Sequence, residues 1–418
     1  MKINQWTLGL AALGVVSLAS VAQAEEQMSA VQTALSSTTI SGYVDTSAQW
    51  NVGTGDGQSY YKFGSKDGTP KADGFNLNVV QLTIAKPLDE AEWAAGYRAD
   101  LWFGPDANTL GTQSVSGTTG DLAIRQAYVA LRMPVGNGLD WKMGVFDSIV
   151  GYESVEAGNN PNFTRSYGHT IEPQTHTGLL GTYRFSDAIS TSFGIANTVG
   201  PTINGRANAP YGPMAESYKS YMGSIALTAP DSMGFLKGSS LYFGIVGGFG
   251  QSSLGGINGQ GTQVSWYAGT TVATPVEGLK FGFAYDYLDS RSGSAHNAVG
   301  NGQDAWAASV YASYQATEKL SLHLRGEVGT LPGLSRYSIT TITNPDTEAT
   351  ITTRSPLTDN TQIWALTGTV QYDLWKNVIS RLEVRWDASD EGQYFSGSDG
   401  PVTQKNSVLI AANLIYKF

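Results

Sequence analysis

The feature that most constrains this chain is an alternation that begins at Thr39 and recurs to the last residue. Apolar and polar side chains exchange at every second position, in long stretches separated by turn-forming residues. That period belongs to β-strands with one apolar face. Sixteen stretches carry it, over residues 39–52, 74–86, 93–103, 122–133, 139–150, 175–185, 189–199, 217–229, 239–249, 261–274, 279–290, 304–316, 320–331, 360–374, 378–390 and 406–418. Strands in soluble domains usually run ~5–6 residues, and these are about twice as long. Ten residues at ~3.3 Å each, tilted by ~40°, rise ~25 Å, the height of the apolar band of a membrane-spanning barrel.

The connections agree with that reading. All 15 prolines lie between the stretches, as a closed ladder demands, because proline has no N–H to contribute to it. Connections of at most nine residues alternate with longer ones at 53–73, 104–121, 151–174, 200–216, 250–260, 291–303, 332–359 and 391–405. Short turns on one side and long loops on the other are the habit of outer-membrane barrels. The fold class expected is therefore all-β, a transmembrane antiparallel β-barrel of about 16 strands forming one domain over residues 39–418.

Side-chain parity says which face meets lipid. In 378–390, Leu382, Val384 and Trp386 alternate with Arg381, Glu383, Arg385 and Asp387; in 320–331, Leu320, Leu322, Leu324 and Val328 oppose His323, Arg325 and Glu327; in 93–103, Tyr97, Leu101 and Phe103 oppose Arg98, Asp100 and Trp102. The charges belong on a wet interior, since hydrocarbon offers them no partner. Large aromatics gather at both ends of the apolar faces, Trp93, Trp141, Phe185, Tyr314, Tyr372, Tyr416 and Phe418 at the short-turn end and Phe75, Phe103, Phe249, Trp306, Trp364 and Trp386 at the other. Two stretches break parity: 74–86 switches between Val79 and Val80, and 122–133 puts Arg125 and Arg132 on opposite faces. A bulge, an arginine reaching to the rim or a misdrawn strand would each produce this.

Composition removes whole classes of function. The chain has no cysteine, so a disulfide scaffold, a thiolate nucleophile and a Cys-ligated metal are excluded. A formal net charge of -10 argues against nucleic acid as a partner, because that affinity needs clustered Lys and Arg. Residues 1–24 read as a signal peptide: Lys2, an apolar stretch from Leu8 to Leu18, and Ala22-Gln23-Ala24 before Glu25. Residues 25–38 then form a short periplasmic lead-in, and beyond them no apolar run is long enough for a membrane helix.

The C-terminus alternates back from a terminal aromatic, with Val408, Ile410, Ala412, Leu414 and Tyr416 ahead of Phe418. This looks like the strand signal by which the barrel-assembly machinery recognises its clients. Together with Ile40-Ser41-Gly42-Tyr43-Val44-Asp45-Thr46, Gly144-Val145-Phe146-Asp147 running into Gly151-Tyr152-Glu153, Arg165-Ser166-Tyr167, and Pro173 ahead of His176-Thr177-Gly178-Leu179, it makes the chain resemble the OmpL-like β-barrel porin family of Gram-negative bacteria. The resemblance covers nearly the whole chain after residue 24. It implies residence in outer-membrane lipid and a passive pore for ions and small hydrophilic solutes, with no catalytic residues and no cofactor. A homotrimer follows only by analogy with other sixteen-stranded porins.

Sixteen strands enclose an aqueous channel, so selectivity must come from whatever narrows it. The third long loop, 151–174, is the candidate constriction, with Glu153, Glu156, Arg165, His169 and Glu172. The pore wall would be Arg98, Asp100, Lys142, Arg184, Arg325, Arg381, Glu383 and Arg385, with Lys280, Asp45, Asp286, Glu327 and Asp387 on the same faces. Acids on the loop facing arginines on the wall would set up a transverse field. Inward Trp102, Tyr242, Tyr267 and Tyr311 suggest a sugar-guiding track, or simply packing within the wall. The four histidines, 169, 176, 296 and 323, make no nucleophile–base set, and no phosphate loop or zinc motif appears. The Asp/Gly clusters at 53–57 and 66–74 fit turn chemistry better than calcium. The competing readings are a plugged adhesin acting through loop 332–359 and a secreted lectin-like sandwich.

Overall fold

The computed structural model describes residues 31–32, 37–52, 73–109, 122–207, 217–250, 262–289, 304–331, 337–343, 350–356, 362–390, 395–396 and 402–418. The signal peptide at 1–24, His296 and the Asp/Gly segment 53–72 lie outside the described residues, as do the side chains of loop 332–359 beyond Leu331.

Sixteen strands form one antiparallel sheet: β1 (Thr39–Val52), β2 (Gly74–Lys86), β3 (Ala95–Phe103), β4 (Leu122–Met133), β5 (Leu139–Asp147), β6 (Thr175–Arg184), β7 (Ile189–Ala196), β8 (Ser220–Thr228), β9 (Ser240–Phe249), β10 (Thr262–Ala273), β11 (Leu279–Asp289), β12 (Ala305–Gln315), β13 (Leu320–Thr330), β14 (Gln362–Trp375), β15 (Val378–Ser389) and β16 (Asn406–Lys417). Each pairs with its neighbours in sequence, and β16 returns to β1 with Lys417 opposite Tyr43 and Val408 opposite Val52. The ladder closes on itself, which removes the unpaired edges an open sheet would expose to lipid. At the seam Gly42 and Phe418 exchange two backbone hydrogen bonds of 2.9 Å. A Cβ at position 42 would stand 2.8 Å from the Phe418 ring, so glycine is what lets the terminal aromatic lie across β1.

Parity sorts the side chains as lipid requires. Leu382, Val384 and Trp386 are exposed on the outside, whereas Arg381, Glu383, Arg385 and Asp387 are buried on the inside of the same strand. Both parity breaks are bulges. Asp45 lies opposite Val79 while Thr46 lies opposite Leu77, which leaves Asn78 as the extra residue of β2. Asp100 lies opposite Gln126 while Leu101 lies opposite Ile124, so Arg125 is the extra residue of β4. The bulge turns Arg125 inward, and Arg132 then falls on the inner face too, doubly bonded to Asp140 at 2.7 Å. Stretch 139–150 is shorter than its sequence pattern suggests. It ends at Asp147, because Ser148 turns inward and donates to the Gln174 carbonyl at 3.0 Å, which starts the loop.

Outside the barrel ring, Tyr337–Thr343 pairs with Thr350–Pro356 between β13 and β14, and Phe395–Ser396 with Val402–Gln404 between β15 and β16. Val31–Gln32 extends the sheet at the start of β1.

Candidate functional site: the lumen and the loop that crosses it

The chain between β5 and β6, residues 148–174, runs across the interior and touches the inner wall on three sides. Its path has local causes. Gly151 turns the chain at φ +122°, a region closed to most side chains. A single helical turn at Ala157–Asn159 and a short helix at Tyr167–Ile171 each stop at the residue before a proline. Asn160 and Glu172 are held extended there, since a following proline ring disfavours the helical region. Ser166 caps the helix by accepting from the His169 N–H, and the Asn160 amide closes the intervening loop by accepting from Ser154 N–H at 2.7 Å and donating to the Ser154 carbonyl at 2.6 Å.

On the β13–β15 side the loop is bolted down. Arg325 donates to Glu153 at 2.8 Å, to Glu327 at 2.7 Å and to the Thr164 carbonyl at 2.7 Å. Arg385 donates to Asp387 at 2.9 Å and to the Arg165 carbonyl at 2.7 Å. Arg381 reaches the carbonyls of Ala157 and Asn160. In return Glu383 accepts the backbone N–H groups of Phe163 at 2.6 Å and Thr164 at 2.9 Å, and Glu327 accepts that of Tyr167. The side chains of Arg325 and Glu327 are 0% exposed. Charges this deep persist only with a full set of partners, and the loop backbone supplies much of it. Arg325, Arg381, Glu383 and Arg385 therefore face inward as their parity indicates, yet under the loop rather than along an open wall. A strand pattern gives the direction of a side chain and not what covers it.

A second contact is apolar. Ile149, Val150 and Tyr152 pack with Phe146, Leu180, Met222, Tyr242, Val246, Tyr267 and Tyr311 of the wall. Tyr311 stacks on Tyr152 at 4.2 Å, and Tyr242 donates to the Ile149 carbonyl. Trp102 is equally covered, its indole N–H bonded to Gln81 at 2.6 Å. These rings present no free face, so they are not a sugar track in this structure; the loop occupies the space that a sugar would need.

The third side, facing β3–β5, is the wet one. Glu156 accepts from Arg98 at 2.9 Å across the gap, with 27% and 30% of the two side chains exposed, and Arg98 is also held by Asp100 at 2.8 Å. Asp147 is 37% exposed and pairs with Arg125 at 2.7 Å. The Lys142 ammonium sits 4.9 Å over the Tyr128 ring, and Tyr128 lies directly opposite Arg98 in the ladder. Arg184 is elsewhere, at the short-turn end, paired with the exposed Asp187. Sequence reasoning passed over Arg125, Tyr128 and Asp147; the β4 parity slip was the available signal for the first of them.

Burial sets the electrostatics of the loop. Desolvation, reinforced by Arg165, pushes His169 down to about 3, so the imidazole is neutral at ordinary pH. For Glu153 burial works upward, but Arg325 and Arg165 outweigh it and the carboxylate titrates below its usual range. Burial holds the Arg165 guanidinium below its usual value. Burial raises Glu172, which among the described residues has no cation bonded to it to offset that cost. Among the described residues no cluster of His, Asp and Glu is arranged to hold a metal ion.

A closed ring of sixteen strands with a loop drawn into its lumen is the architecture of a porin, and the family model described as "Putative beta-barrel porin-2, OmpL-like" matches residues 37–418. The chain belongs to this OmpL-like porin family. Its place is the outer membrane, and its family is one of channels. Among solved structures the fold is shared with the outer-membrane channel DcaP of Acinetobacter baumannii (13% identity, TM-score 0.54, covering 91% of this chain and 97% of that one). It is shared as well with an anion-selective porin from Comamonas acidovorans (10%, 0.56, 91% and 99%) and with Salmonella typhi OmpF in complex with daunomycin (13%, 0.51, 91% and 98%). A comparison with curated proteins finds no match. At these identities the structural likeness speaks for the fold alone.

Proposed function

We propose that this OmpL-like porin passes ions and small hydrophilic solutes by diffusion along one side of its lumen, past the half-exposed Arg98–Glu156 pair that joins the loop to the β3–β5 wall. The observation that carries this reading is the contrast in solvent access: Arg98, Glu156 and Asp147 keep 30%, 27% and 37% of their side-chain surface, while Arg325 and Glu327 on the opposite side keep none. Loop 148–174 is then the constriction, and the field across it runs from Arg98 and Lys142 toward Glu156. Of the wall residues the sequence nominates, Arg98 and Lys142 line the passage, buried Asp100 holds Arg98 in place, and Arg325, Arg381, Glu383 and Arg385 fix the loop that narrows it. Tyr416, exposed on the outer face of β16, and Phe418, at the seam, would be read by the assembly machinery. A homotrimer is proposed on the strength of fold relatives such as the trimer form of Vibrio cholerae OmpT.

Conductance of the purified protein in a planar bilayer tests the reading. Ohmic single-channel steps are expected, and deletion of residues 155–170 should enlarge them. A barrel that shows no conductance would be a plugged one, and unchanged steps after the deletion would place the constriction elsewhere.

A further inference from the structure

Where the loop returns toward β6, its attachment to the wall differs in kind from the arginine bolts. Glu172 faces Asp286 of β11 side chain to side chain, with the two carboxyl groups within hydrogen-bonding reach of each other. Both residues are buried. Two carboxylates cannot hydrogen-bond each other, since an ionised carboxylate only accepts. Two buried carboxyls this close are reconciled by a single proton, carried by one and donated to the other.

The surroundings are built for that pair. A Cβ on Gly151 would stand 2.5 Å from the Glu172 Oε2, and one on Gly168 would stand 3.0 Å from the Asp286 carboxyl carbon, so two glycines in the two limbs of the loop leave room for the two acids. The Tyr152 backbone N–H donates to Glu172. His169, 4% exposed and with neither ring nitrogen hydrogen-bonded, points its Nδ1 at the Glu172 Oε2 from 3.5 Å. From β10, opposite Asp286 in the ladder, comes Tyr267, which is also 4% exposed and whose hydroxyl has no hydrogen bond. The residue opposite Asp286 on β12 is Ala307, which brings no charge. Glu153, the other acid within electrostatic reach on the loop, is already neutralised by Arg325. Among the described residues no cation is bonded to the pair, and His169 is held neutral by burial and by Arg165.

We propose that Glu172 and Asp286 form a proton-binding site that latches the return limb of the constriction loop to β11. The proposal rests on the channel reading above for its consequence and on the carboxyl pair alone for its chemistry. Binding one proton closes the latch, and losing it leaves two adjacent anions in a site that offers them one backbone N–H. Like charges at contact in a poorly hydrated site repel, so the return limb lifts from β11 while the arginine bolts hold the other side. The sign follows from linkage: the latched state binds a proton that the open state, with ordinary carboxylates, gives up. The latch is complete at acid pH and lost as pH rises through the raised value of the loop's Glu172.

Two measurements on the full chain in detergent or bilayer decide it. Infrared titration should show a protonated carboxyl band that persists to about neutral pH and fades toward alkaline pH, well above the ~4.3 of an ordinary glutamate. Glu172→Gln and Asp286→Asn should each remove it. Single-channel recording between about pH 6 and about pH 10 should show loop-opening events growing up to about tenfold per pH unit above the titration point. In Glu172→Gln, whose amide donates permanently to Asp286, they should stay at the acid-pH frequency. Absence of the band, its survival in both variants, or the same pH response in wild type and Glu172→Gln would overturn the proposal. A shift of the band by added divalent cations would make the site a metal site and overturn it too. A protein that conducts at no pH would remove the channel reading, and the infrared titration would still decide the proton site.

Discussion

The two flanks of the loop that crosses the lumen are built from the same residue types and behave as opposites. Beside β13–β15, arginines and carboxylates are wholly buried, each bonded to the loop backbone or to another charge. Beside β3–β5, Arg98, Asp147 and Glu156 keep about a third of their side-chain surface, and Lys142 leans on an aromatic ring. A buried ion pair is a fixed mechanical part, because breaking it strands a charge in a poor dielectric. A half-exposed one is exchangeable and weakly stabilising, which suits a surface that solutes must pass. The comparison teaches that charge density on a barrel wall does not locate the pore; solvent access does.

The largest effect is expected at Arg325→Met, which leaves Glu153 buried without its guanidinium and Glu327 with only the longer contact to Arg385 at 3.4 Å. Loss of about 3–5 kcal/mol should appear as a lower unfolding temperature in detergent and as noisier, larger single-channel currents. An unchanged melt would mean that the bolted flank is wetter than its burial indicates. Glu383→Ala comes next, since it orphans the Phe163 and Thr164 N–H groups; a cost of about 1–3 kcal/mol is expected, with Glu383→Gln retaining part of it through its remaining acceptor oxygen. Lys142→Glu on the wet flank should do the reverse, changing stability by less than about 1 kcal/mol while moving the reversal potential in a salt gradient toward cation preference. If selectivity stays put, the passage does not run along β5. Smallest of all is Arg184→Ala, whose partner Asp187 is 94% exposed; the melt and the reversal potential should both be unaltered within error.

Much of the fold is legible in the sequence. The strand stretches, drawn from parity, proline placement and connection length, coincide with β1–β16 to within a few residues, and the slip at Val79 announced the bulge at Asn78. What could not be read was cover. Glu383 and Arg385 have the parity of pore-lining residues, and nothing in a two-residue repeat says that Phe163, Thr164 and Arg165 lie on them. Gly151 and Gly168 look like ordinary loop glycines until Glu172 and Asp286 are seen beside them. Contacts between a loop and a wall more than a hundred residues away leave no local periodicity.

By itself, then, the sequence determined the strands, their inward and outward faces, and the closure of the ring, because lipid on one side and water on the other force every strand to declare its parity. Only the tertiary structure decided which of the inward charges meet water. That depends on the path of a single loop, chosen by the sum of many buried bonds to distant strands, and it is this path that separates the anchors from the passage.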